Sequence, residues 1–231
     1  MARIKSESFE IFESTMARLG NTVVLDDESS VDCMGMLLQV IRDMGLNPMK
    51  TEDLTCGLMD LFNVEVINMP DMDANRFILA PNHVSEFDAL SLGLLHPRIR
   101  IVSKRAWTDN TRLRQYLERH YDLCGLNRAS MASLRHVMRE SIRYFLEDDA
   151  CKHYLVFSQG TISDFNHNSP ERVSSIAQQV ASKTAVPIVV VFVEQVSIDH
   201  PTRIVFDAPR VITQSDDFRR IWLEREAALQ A

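Results

Sequence analysis

Residues 187–193 read Pro-Ile-Val-Val-Val-Phe-Val. A half-exposed strand alternates apolar and polar side chains; an unbroken β-branched and aromatic run predicts a strand buried on both faces, as in a sheet covered by helices. The pattern continues outward from it in both directions. Val173–Lys183 before it is helical, Arg203–Phe206 after it reads as a strand, and Phe218–Leu229 as a terminal helix. Further upstream, Tyr154–Phe157 (YLVF) is a strand running into Gly160, preceded by helical patterns over Thr111–His120 and Ser130–Leu146. Arg98–Val102 (RIRIV) alternates at period two, and Arg76–Ala80 (RFILA) is a short apolar strand ended by Pro81. Between those two strands Phe87–Leu95 reads as a helix that stops near His96-Pro97. Such alternation implies an α/β fold: a largely parallel central sheet flanked by helices.

The chain to about residue 65 reads as helical instead. Met34, Leu37, Leu38 and Ile41 recur at helical spacing in Val31–Asp43, and Leu54, Leu58, Met59 and Phe62 do so in Asp53–Phe62. The expected organisation is an N-terminal helical segment over 1–63 and an α/β domain over 64–231.

Of the 231 residues 45% are hydrophobic and 25% charged, an ordinary globular balance able to bury a sizeable core. No apolar run reaches the roughly 18 residues of a membrane-spanning helix, and MARIKSESFEIFEST lacks the apolar core of a secretory signal. Cys33, Cys56, Cys124 and Cys151 form no CxxC pair and have no paired histidine motif beside them, so we read them as reduced thiols of a cytoplasmic protein, with no metal site. The net charge of −7 argues against nucleic acid as a partner. That charge is unevenly spread. Residues 1–75 carry five Lys/Arg against fourteen Asp/Glu, whereas 96–143 carry eleven Lys/Arg against four Asp/Glu. The basic segment suits an anionic ligand, an acidic carrier protein or a lipid headgroup, and equally a solvated helix face paired with local acids.

In α/β sheets chemistry sits at the carboxyl ends of the strands, in the loops that lead to helices. Two such loops stand out. Pro81–Asp88 follows RFILA and holds Asn82-His83-Val84-Ser85-Glu86-Phe87-Asp88. Ser85 and Asp88 have the spacing of a capping box, which puts His83 in the loop and Asp88 on the first helical turn. If the loop folds back over the helix start, the carboxylate binds one imidazole nitrogen, fixes the tautomer and leaves the other nitrogen to take a proton. The same spacing also suits a plain cap, with Asp88 completing the box and His83 filling the turn. The second loop is Ser158–Asp164, after YLVF. Gly160 allows a close backbone approach there, and neighbouring N–H groups with the Thr161 and Ser163 hydroxyls can cradle a phosphate or an oxyanion, or simply form a β-to-α turn. Arg128, just before the helix opened by Ser130, is placed either to clamp a phosphate or to face solvent.

The order of these pieces resembles the glycerolipid acyltransferase family, which contains lysophosphatidic acid acyltransferases and soluble glycerol-3-phosphate acyltransferases. Its N-H-x4-D motif is matched by Asn82, His83 and Asp88. Its second motif, an arginine after a short apolar strand, is matched loosely by Leu123–Arg128, with Asp122 where a glycine is usual. Its F-x-E-G-T-R-S motif appears as Phe157-Ser158-Gln159-Gly160-Thr161-Ile162-Ser163, and its proline before an apolar strand as Pro187. Lys104 stands where the family often has a lysine. The resemblance spans roughly residues 64–212.

It implies an acyltransferase with His83 as general base and Asp88 as its partner, and Lys104, Arg128, Gln159, Gly160 and Thr161 on the substrate. The acyl donor would be acyl-CoA or acyl carrier protein acting as co-substrate, with no cofactor, and the acceptor a lysophospholipid or a small hydroxylated molecule. Gln159 and Ile162 replace the family's glutamate and arginine. An apolar branched side chain cannot hold a phosphate, so acceptor recognition is expected to differ. Two rival readings share the fold: a non-catalytic lipid- or acyl-binding protein, and an acyl-thioester hydrolase with water as acceptor. The second does without the G-x-S-x-G elbow that the chain lacks. The expected location is the cytoplasm, with transient contact at the cytoplasmic face of a membrane.

Overall fold

The computed structural model describes residues 10, 14, 27–83, 88–105, 109, 111–127, 130–147, 152–157, 175–194, 201–214 and 216–230. Their strands form one seven-stranded sheet in the order β1-β7-β6-β2-β5-β3-β4. These are β1 (Val64–Ile67), β2 (Phe77–Pro81), β3 (Ile99–Lys104), β4 (Asp122–Leu126), β5 (His153–Leu155), β6 (Ile188–Val193) and β7 (Thr202–Phe206). Five of them, β6, β2, β5, β3 and β4, run parallel; β7 is antiparallel to β6, and β1 pairs parallel to β7. The sheet is therefore largely parallel, as the alternating pattern implied. The PIVVVFV run becomes β6, every residue of which is buried, between β2 and β7. Its β-branched side chains suit a pleated surface packed on both sides.

Seven helices complete the described elements: α1 (Asp27–Asp43), α2 (Thr51–Leu61), α3 (Asp88–Gly93), α4 (Thr111–Leu117), α5 (Met131–Leu146), α6 (Ile176–Thr184) and α7 (Phe218–Gln230). They divide between the two faces of the sheet. Alternation along β2 sends Phe77 and Leu79 into one apolar cluster, with α1 to α4, and Ile78 and Ala80 into the other, with α5 to α7. Leu37, Val40 and Ile41 of α1 and Leu54, Leu58 and Leu61 of α2 belong to the same cluster as Leu79, Leu155 and Val191 of the sheet. On the other face Trp222 of α7 is buried, and its indole N–H donates to the Ala80 carbonyl of β2 at 3.1 Å. No helix among the described residues is long and apolar enough to cross a membrane.

The structure adds a strand at the boundary of the helical segment, where the sequence pattern shows none. Val64–Ile67 is β1, in register with Thr202–Val205. Four residues are too few to show a period, and Leu54–Phe62 just before them carries a strong helical one. Asn63, at φ 45°, turns the chain out of α2 and into this edge strand. A left-handed turn at a non-glycine residue is most readily adopted by asparagine.

Candidate active site

Strand β2 ends at Pro81, which has no N–H to continue the ladder. Asn82 takes over with its side chain. Its amide N–H donates to the Val193 carbonyl at 2.8 Å, its amide oxygen accepts the Val193 N–H at 2.7 Å, and its own backbone N–H reaches the Val191 carbonyl at 3.2 Å. A primary amide carries donor and acceptor together and so imitates a peptide group. The chain is thereby locked to β6 at the residue preceding His83.

His83 and Asp88 meet. The ring Nδ1 lies 3.0 Å from each carboxylate oxygen of Asp88, and both residues are buried, at 7% and 1% exposure. An ionised carboxylate only accepts, so Nδ1 carries the hydrogen and the second nitrogen, Nε2, is the basic one. The ring also stacks on Phe157, with centroids 4.1 Å apart and planes 28° from parallel. Two different strands therefore fix the imidazole, β2 through the backbone and the segment after β5 through the stack. The carboxylate comes from the first residue of α3. A histidine held in one tautomer by a buried carboxylate at the carboxyl edge of a parallel sheet is an arrangement able to accept a proton from a bound hydroxyl.

Of the other residues singled out in the sequence, Lys104 ends β3 at the same edge of the sheet, two strands from β2. Arg128, Gln159, Gly160 and Thr161 lie outside the described residues, as does the expected cap at Ser85. Sequence reasoning gave no role to Asn82 beyond its place in the motif, nor to Phe157. The signals were present: an asparagine directly after a strand-ending proline, and an aromatic residue at the end of the next parallel strand.

The basic segment resolves into two kinds of arginine. Arg100 pairs with Asp122 at 2.8 Å, Arg105 with Asp109 at 3.3 Å, Arg114 with Glu118 at 2.7 Å, and Arg143 with Glu147 at 2.9 Å and Glu140 at 3.2 Å. Arg135 and Arg139, exposed one turn apart on α5, have no acidic partner among the described residues.

Fold and site together define a parallel α/β protein with an oriented histidine at the sheet's carboxyl edge. Residues 63–194 match the Acyltransferase family. The match takes in more than half of the chain, and the chain belongs to that family. Among solved structures it is similar to the 1-acyl-sn-glycerophosphate (LPA) acyltransferase PlsC from Thermotoga maritima. The two share 13% identity at a TM-score of 0.50, over 94% of this chain and 92% of that one, which is a likeness of fold. No curated protein matches the chain.

Proposed function

We propose that the chain is an O-acyltransferase that moves a fatty acyl group from an acyl thioester to a hydroxyl of a lysophospholipid or related acceptor, with His83 as general base. The observation that carries the proposal is the buried contact between His83 Nδ1 and both Asp88 oxygens at 3.0 Å. A lipid-binding module has no need of a base held in one tautomer, which weighs against the non-catalytic reading.

The step balances without a protein nucleophile. His83 Nε2 takes the acceptor hydroxyl proton as that oxygen attacks the thioester carbonyl. Asp88 stabilises the imidazolium, and backbone N–H groups near Gly160 are the proposed donors to the oxyanion. The tetrahedral species collapses, the C–S bond breaks, and the departing sulfur takes the proton back from His83. An ester and a free thiol result.

We assign the donor to acyl-CoA or acyl carrier protein, because both are anionic and the 96–143 segment is basic. In this reading Lys104, Arg128, Gln159 and Thr161 hold the substrates, and the protein works in the cytoplasm, touching a membrane transiently to reach an amphipathic acceptor. Mass spectrometry of products, after incubation with either donor and with lysophosphatidic acid beside unphosphorylated acceptors, tests the proposal. The expected product is a new ester with stoichiometric thiol. Thiol released at the same rate with no acceptor present would assign the chain to thioester hydrolysis instead, and no thiol release with either donor would contradict both.

A further inference from the structure

The two members of the His83–Asp88 pair are anchored to different bodies. His83 is tied to the sheet, through Asn82 on β6 and the stack on Phe157. Asp88 is the first residue of α3, a helix of six residues and about 8 Å. Such a short helix moves as one piece, so the spacing between α3 and the sheet is read out directly in the Nδ1-to-carboxylate distance.

That spacing is set at the far end of the helix. Gly93, its last residue, lies against β3 and the residue that precedes β4. A Cβ there would sit 2.5 Å from Ile101 Cδ1 and 2.8 Å from both Cδ1 and Cε1 of Tyr121. Ile101 can swing its terminal methyl aside, but the Tyr121 ring cannot follow. Tyr121 is buried, and its hydroxyl donates to the Leu90 carbonyl of α3 at 3.3 Å. Burial pushes that phenol well above its ordinary pKa, so the O–H is retained. One tyrosine thus pulls α3 inward through Leu90 and bounds its approach at Gly93.

We propose that Gly93 and Tyr121 are positioning residues for the candidate catalytic pair: by setting how closely α3 sits on β3, they hold Asp88 at hydrogen-bonding distance from His83. A Cβ at position 93 lifts α3, and the ring, fixed to the sheet, does not move with it. The proposal deepens the acyl-transfer reading and rests on it for its kinetic consequence.

Gly93→Ala, checked for folding by circular dichroism and thermal unfolding, tests it. The expected result is kcat about ten- to a hundredfold lower with KM for donor and acceptor within about twofold, since a misplacement of about 1 Å costs on that order. The downfield proton resonance of the His83 Nδ1–H bound to carboxylate, assigned by its absence from His83→Gln, should shift or vanish. Should Gly93→Ala fail to fold, Tyr121→Phe carries the test: it keeps the ring, drops the Leu90 bond and should lower kcat severalfold while shifting the same resonance. A folded Gly93→Ala with unaltered kcat and an unaltered Nδ1 resonance overturns the proposal, as does an unaltered Tyr121→Phe where Gly93→Ala does not fold. The resonance needs no substrate, so it tests the positioning even if acyl transfer itself is not found.

Discussion

Among the described residues two histidine–aspartate pairs lie at opposite edges of the sheet. At the carboxyl edge, Asp88 is buried on a helix and offers both oxygens to His83 at 3.0 Å. At the amino edge, His96 Nε2 meets one oxygen of Asp73 at 3.3 Å, and the Asp73 side chain is 96% exposed. The backbone N–H of Arg98 donates to His96 Nδ1, and His153 packs edge-on against the His96 ring, 4.6 Å between centroids. His153 begins β5, and its Nε2–H donates to the Met72 carbonyl at 3.0 Å. Residue type is thus a poor guide to role. What separates the pairs is burial of the acid, which decides whether the contact is screened by water, and the edge of the sheet, which decides whether a substrate can reach the base.

The largest effect is expected at Asp88. Asp88→Asn keeps the size of the side chain but no longer enforces the Nδ1–H tautomer, and kcat should fall about a hundred- to ten-thousandfold with the fold retained, read by steady-state kinetics beside circular dichroism. Asn82→Leu comes next. It leaves the Val193 N–H and C=O without their partner, so stability should drop by roughly 2–4 kcal/mol in urea titration, with kcat falling as His83 loses its anchor.

The amino-edge cluster should answer to pH through stability. Burial foremost, with the neighbouring His96 adding to it, lowers His153 from its ordinary 6.5 to about 4. The folded state resists the proton and the unfolded state takes it. The contribution of neutral His153 is therefore whole above pH 6.5 and is lost as pH falls from 6.5 to 4. Thermal unfolding followed across that interval should show a decline that His153→Gln flattens. The smallest effect is expected at Asp73. Asp73→Asn replaces an exposed carboxylate that accepts from His96 at 3.3 Å, a contact worth about 0–1 kcal/mol, and should leave kcat within about twofold of the parent.

The sheet was legible because its central strands are apolar runs that no other element explains, β6 above all. The edge strand β1 was not, since four residues with half-exposed side chains carry too little pattern to resist the helix before them. The His83–Asp88 contact was legible only as an option: five residues of separation fit a cap as well as a pair, and it is the placement of the end of β2 beside the start of α3 that brings ring and carboxylate together. The roles of Asn82 and Gly93 were hidden for a different reason. Each depends on a partner far away in sequence, Val193 in one case and Ile101 with Tyr121 in the other, and no local pattern reports such contacts.

The proposed base is His83, and not His96, although each meets an aspartate. The most direct measurement is the rate of acyl transfer by His83→Ala, at equal folded protein, set beside His96→Ala. A loss of about a hundredfold or more is expected for the first and a change within about threefold for the second. A folded His83→Ala that retains the parent rate would contradict that assignment.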